Sequence, residues 1–142
     1  MNDGAPARGI VIGHGAVAEG LVDAVRRISG VDDGVLVAIS NEGLSPDRLA
    51  DEVGRHLGEG PVVLFTDLPS GSCSVAARRL CRGRSDLAVI GGVNLPLLLD
   101  FVTHRHLPLR ELVARSADRG RAGIVCVPME PGDDARTPVS GR

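Results

Sequence analysis

The feature that most constrains this chain is the alternation of short β-branched runs with helical patterns. GIVI at 9–12, VLVAI at 35–39, PVVLF at 61–65, LAVI at 87–90 and GIVCV at 123–127 are each strand-sized. Between them lie AVAEGLVDAVRRI (16–28), SPDRLADEVGRHL (45–57), SCSVAARRLC (72–81), and LPLLLDFVTHR (95–105) followed by PLRELVARSADR (108–119). Strands alternating with helices predict an α/β fold, a parallel sheet with helices on both faces. Ser45-Pro46 supplies a helix N-cap followed by proline in the first turn. A chain of 142 residues fits one domain. It is expected at 9–128, after a flexible N-terminus at 1–8. The tail at 129–142, rich in Pro, Gly, Asp and Ser, is expected to be disordered.

Charge then excludes several function classes. Sixteen arginines and no lysine face 18 acids, for a net charge of −2, so bulk electrostatics attract neither nucleic acid nor an anionic membrane. The basic run RRLCRGR at 78–84 reads as the solvated end of a helix, where cations also suit the dipole. Cys73, Cys81 and Cys126 have neither CxxC nor zinc-finger spacing, which predicts no disulfide framework or structural metal and fits a reducing cytoplasm. The N-terminus lacks the form of a signal peptide, and no apolar stretch approaches the roughly 18 residues of a membrane span, so a cytoplasmic protein without membrane insertion is expected.

In open α/β sheets, ligands bind beyond the carboxyl ends of strands, where the strand order reverses. The residues following the first, third and fourth runs are GHG (13–15), TDLPSGSCS (66–74) and GGVNLP (91–96), and they hold one histidine, one aspartate and several small hydroxyl residues. An imidazole there can act as a nucleophile if a partner on its other nitrogen fixes the tautomer. His14 is the candidate nucleophile and Asp67 the candidate orienting acid, which would also balance the cation formed on phosphorylation. The loop SGS at 70–72 opens a helix whose unpaired amides suit a phosphate, with Ser72 as a hydroxyl donor. The bland readings are a structural histidine, a turn-forming Asp67, and Gly13 and Gly15 placed for turn geometry alone.

With HGAVAEGL after the first strand, DLPSGS after the third and GGVNLPLLL after the fourth, the sequence resembles the mannose-family EIIA domains of the bacterial phosphoenolpyruvate-dependent sugar phosphotransferase system. The likeness runs from about Gly9 to Val127. It implies that His14 accepts a phosphoryl group from the phosphocarrier protein HPr and passes it to an EIIB domain for sugar uptake, with no cofactor or metal required. Asp67 would match the family's histidine-orienting aspartate, Ser72 with Gly71 its phosphate-binding loop, and Gly13, Gly15, Ser70 and Asn94 would line the site. The resemblance further implies a single doubly wound sheet of four parallel strands. The run AGIVCV (122–127) would be an antiparallel edge strand exchanged in a homodimer, and RGRAG (119–123) a plausible hinge before it.

The chain departs from the family pattern in two places. Family members commonly have two residues between strand and histidine where this chain offers Gly13, and a GG(S/T)P loop where it has SGSC. Ser70 therefore replaces a glycine and Cys73 a proline. A thiol at a helix N-terminus is either activated or buried and inert. No EIIB domain follows, so the acceptor is expected on another chain. The alternative function is a regulatory module whose His14 phosphorylation state controls partner binding without serving a permease. Metal binding by His104 and His106 lacks a third ligand, so both are read as surface residues, and His56 as a helix cap or a solvated side chain.

Overall fold

The computed structural model describes residues 4–128, and along them strands and helices alternate. The elements are β1 (Arg8–Gly13), α1 (Val17–Ser29), β2 (Leu36–Ser40), α2 (Pro46–Gly54), β3 (Val62–Thr66), α3 (Ser72–Cys81), β4 (Leu87–Gly91), α4 (Leu95–Thr103) and α5 (Leu109–Ala122). The four strands form one parallel sheet in the order β2-β1-β3-β4. β1 and β3 are central and buried on both sides, which is why they read as continuous apolar runs; β2 and β4 are half-exposed edges.

Side chains alternate across the sheet and build a core on each face. Val11, Val63 and Phe65 pack with Val22 and Val25 of α1, Leu98 and Phe101 of α4 and Leu112 of α5. Ile10, Ile12 and Leu64 pack on the other face with Leu49 and Val53 of α2 and Ala76 and Ala77 of α3. The only two phenylalanines, Phe65 and Phe101, meet edge to face with ring centroids 5.0 Å apart, a contact worth about 0.5–1.5 kcal/mol beyond simple burial. Ser45 caps α2 by accepting from the Arg48 amide, as Ser45-Pro46 predicts. His104 ends α4, and Pro108 takes the N-cap position of α5. No helix among the described residues is long and apolar enough to cross a membrane.

One expectation is corrected near the C-terminal end. RGRAG is not a hinge in this structure, because α5 continues through Ala122. Gly120 is buried so closely against Leu97 that a Cβ there would lie 2.8 Å from Leu97 Cδ1, and its carbonyl accepts from Asn94 Nδ2, so packing outweighs glycine's weak helix propensity. The run at 123–127 forms no strand within the described chain; Ile124, Val125 and Val127 are exposed. At the other end Ala7 is buried and donates its amide to the Arg105 carbonyl, and Arg8 opens β1. Residues 1–3 and the expected tail at 129–142 lie outside the described residues.

Candidate functional site

The chain leaves β1 toward one edge of the sheet and β3 toward the other, so the carboxyl ends of these neighbours flank the point where strand order reverses. Ile12 pairs with Thr66, and the Asp67 amide donates to the Ile12 carbonyl at 3.2 Å, extending the ladder by one residue. That register sets Asp67 beside His14. His14 Nδ1 lies 2.9 Å from Asp67 Oδ2, and the His14 amide donates to the same oxygen at 2.9 Å. Asp67 Oδ1 accepts from the Leu68 amide at 2.9 Å. Because an ionised carboxylate only accepts, Nδ1 carries the ring proton and Nε2 keeps its lone pair.

The His14 side chain is 46% exposed and that of Asp67 13%. Partial burial pushes the Asp67 carboxyl up, but the His14 amide, the His14 ring and the Leu68 amide outweigh it and hold the group below its ordinary value. The loop that carries it is braced internally: Thr66 Oγ1 donates to the Leu68 carbonyl at 2.7 Å and Ser74 Oγ to the Pro69 carbonyl at 3.1 Å. Gly91 allows the loop to lie against β4, since a Cβ at that position would sit 2.7 Å from Pro69 Cα.

Gly71 is the N-cap of α3 at φ +96°, ψ −170°, a conformation that glycine alone adopts readily, and no side chain caps the helix. The first-turn amides of α3 are therefore free to face an anion. Ser72 opens the helix, and its Oγ accepts from Asn41 Nδ2 at 3.2 Å. Asn41 was not singled out in the sequence; it follows β2, and its amide donates to the Gly13 carbonyl at 3.0 Å. One residue thus joins the ends of β1 and β2 to the start of α3. Gly13 ends β1 and faces Asp67, Gly15 makes an exposed turn at φ +55°, and Ser70 is exposed in the loop.

Asn94 has a structural task. Its Oδ1 caps α4 by accepting from the Leu97 amide, and its Nδ2 donates to the Gly120 carbonyl of α5. Cys73 is buried, and burial followed by the nearby Asp67 charge pushes its thiol up, against the activation expected at a helix end. His56 Nδ1 lies 3.0 Å from the Glu52 carbonyl and caps α2, while His104 Nδ1 lies 2.9 Å from the Asp100 carbonyl and His106 is exposed. Among the described residues His104 and His106 gain no third metal ligand. A depression lined by Pro61, Asp86, His106 and Leu107 lies at the amino ends of the strands, away from His14.

A family profile described as "EIIA-man: PTS system fructose IIA component" matches residues 9–116. The chain belongs to this family. Among proteins it resembles is the "PTS system mannose-specific EIIAB component" of Escherichia coli (strain K12), 29% identical over 133 residues, covering 89% of this chain. The chain spans 41% of that protein's length. In fold, this EIIA-man chain resembles the "phosphotransferase system component EIIA" from Streptococcus agalactiae with a TM-score of 0.78 and 23% identity, over 84% of this chain and 96% of the other. It resembles the "Mannose/sorbose specific IIA subunit of phosphotransferase system" from Enterococcus faecalis with a TM-score of 0.72 and 22% identity, over 89% and 98%.

Proposed function

We propose that this EIIA-man chain is a phosphoryl carrier between proteins, with His14 Nε2 as the acceptor atom. The observation that carries the reading is the pair of hydrogen bonds from His14 to Asp67 Oδ2, which keeps the proton on Nδ1 and leaves Nε2 free on an exposed side chain. Nε2 attacks the phosphorus of phospho-HPr; the donor's nitrogen–phosphorus bond breaks, its electron pair stays on the donor nitrogen, and a new nitrogen–phosphorus bond forms at His14. The imidazole becomes cationic, and the Asp67 carboxylate balances that charge. Ser72 and the uncapped amides at the start of α3 hold the phosphoryl oxygens. An EIIB domain then takes the group, in the service of sugar uptake. The reaction is confined to protein donors and acceptors, so positioning supplies most of its rate advantage and no cofactor is required.

Donor and acceptor dock on the apolar rim around His14. Val17 is 45% exposed and Leu68 52%, and they border an open groove with Leu21, Val93 and Leu95. Exposed apolar groups clustered around a reactive side chain suit a transient protein interface. The exposed run at 123–127 completes the assembly in the same reading, by adding to an edge of a second copy's sheet. Deleting residues from 121 onward should dissociate or aggregate the protein, and a full-length chain that sediments as a monomer at micromolar concentration would overturn the dimer. The carrier works in the cytoplasm, where phospho-HPr is available.

The test of the central claim is direct. The protein is incubated with phosphoenolpyruvate, Enzyme I and HPr, and intact mass is read for one added phosphate. No added mass on the folded wild-type chain would overturn the carrier function.

A further inference from the structure

We propose that His14, Asp67 and Cys73 form a site for a borderline-soft divalent cation such as Zn2+, and that filling it silences the phosphoryl acceptor. One ring nitrogen, one carboxylate oxygen and the sulfur lie within 4.8 Å of one another. They come from three separate points of the fold, the turn after β1, the end of β3 and the first turn of α3. Zinc holds nitrogen and oxygen ligands at about 2.0–2.2 Å and sulfur at about 2.3 Å, so tetrahedral donors sit roughly 3.3–3.8 Å apart. The 4.8 Å bound exceeds this range by about 1 Å, the shift that binding has to supply.

The donor types select the cation. Mg2+ and Ca2+ favour oxygen ligands throughout, whereas a nitrogen, an oxygen and a sulfur suit Zn2+. Three protein ligands leave a fourth position for water, and the 46% exposure of the His14 side chain places the site beside solvent.

Binding replaces the thiol proton: Cys73–SH and the cation give a thiolate–metal bond and one released proton. Coordination uses the lone pair of one ring nitrogen while the ring proton sits on the other, so no imidazole nitrogen is left to attack phosphorus, and Asp67 Oδ2 turns from the ring to the cation. The coordination stands on the geometry alone; its consequence for transfer rests on the phosphoryl-carrier reading.

The experiment titrates the full-length, reduced protein with Co2+ and records the thiolate-to-cobalt charge-transfer absorption, then displaces it with Zn2+. The expected result is a saturable band at one metal per chain, retained in Cys81→Ser and Cys126→Ser and lost in Cys73→Ser. His14→Ala and Asp67→Asn, which leave the buried sulfur in place, should each weaken binding by more than about 10-fold. Absence of a thiolate band, or a band that survives in Cys73→Ser, would overturn the site. In a second arm, labelling from purified phospho-HPr is timed with saturating Zn2+ and again after chelation. A drop of at least about 10-fold, reversed by the chelator and absent in Cys73→Ser, supports silencing. Equal labelling with and without Zn2+ overturns it. A metal-free chain that binds Co2+ through Cys73 but is never labelled keeps the coordination site and removes the carrier reading instead.

Discussion

The His14 amide and the His14 ring both reach Asp67 Oδ2, each at 2.9 Å. Backbone and side chain of one residue are thereby fixed by a single oxygen 53 positions away. The amide bond sets where the turn after β1 begins, and the ring bond sets which nitrogen carries the proton. A rotation of the Asp67 side chain would disturb both, which ties the acceptor's protonation pattern to the backbone path at the switch point.

His14 should be the only phosphorylated residue. His56 and His104 each have Nδ1 within hydrogen-bond distance of a helix carbonyl, at 3.0 and 2.9 Å, and His106 is exposed at the opposite end of the sheet. His14→Ala should abolish the added mass after incubation with phospho-HPr, while His56→Ala, His104→Ala and His106→Ala keep it. Undiminished labelling of His14→Ala would remove the site assignment.

Asn41 should act through Ser72. Its Nδ2 donates to Ser72 Oγ, so the serine's own proton is left to point elsewhere, toward an incoming oxyanion. Losing a neutral hydrogen bond of about 0.5–1.5 kcal/mol slows transfer roughly two- to tenfold if the bond matters only in the transition state. The check is a double-mutant cycle on the phosphorylation rate. Asn41→Ala and Ser72→Ala should be strongly non-additive. Additive effects would make Asn41 a loop brace and nothing more.

Two glycine substitutions should move stability in opposite directions. Gly91→Ala puts a Cβ 2.7 Å from the Pro69 backbone, which has no flexible end to yield, and should cost about 1–3 kcal/mol. Gly20→Ala lies inside α1 with nothing within 4 Å, and should stabilise by up to about 1 kcal/mol through helix propensity. Thermal unfolding of both variants checks the pair. A stable Gly91→Ala protein would mean that the Asp67 loop is free to move off β4.

The parts of this fold legible in the sequence are those set by local pattern. β1 and β3 read as continuous apolar runs because both their faces are buried, and the histidine and aspartate that follow them read as a site because strand ends converge in an open sheet. Asn41 was not legible: asparagine after a strand is an ordinary turn residue, and its partner Ser72 is 31 positions away. Gly120 misled in the other direction, since its contact with Leu97 is tertiary and a glycine flanked by arginines reads as a break. The run at 123–127 has strand composition, but composition carries no information about which edge, or whose, it pairs with.

Asp67→Asn separates a carboxylate that orients His14 from one that merely shapes a turn. Both carboxylate oxygens accept: Oδ2 from the two His14 groups and Oδ1 from the Leu68 amide. An amide in the same place must turn its NH2 toward one of these donors. The less costly choice opposes Leu68 and keeps the bonds to His14, but the negative charge that balances a phosphorylated imidazole is gone. A charge-assisted hydrogen bond of about 1.5–3 kcal/mol corresponds to roughly a ten- to hundredfold slower transfer. Acid stability should change as well. The Asp67 carboxyl is held below its ordinary 3.8 in the folded protein, so its linked stability is complete above that value and is lost as pH falls through the lower folded-state value. Asp67→Asn should flatten this acid limb of the stability curve below about pH 4 while lowering stability near neutrality. Transfer within about twofold of wild type would reduce Asp67 to a turn residue, because aspartate and asparagine favour the same turn positions.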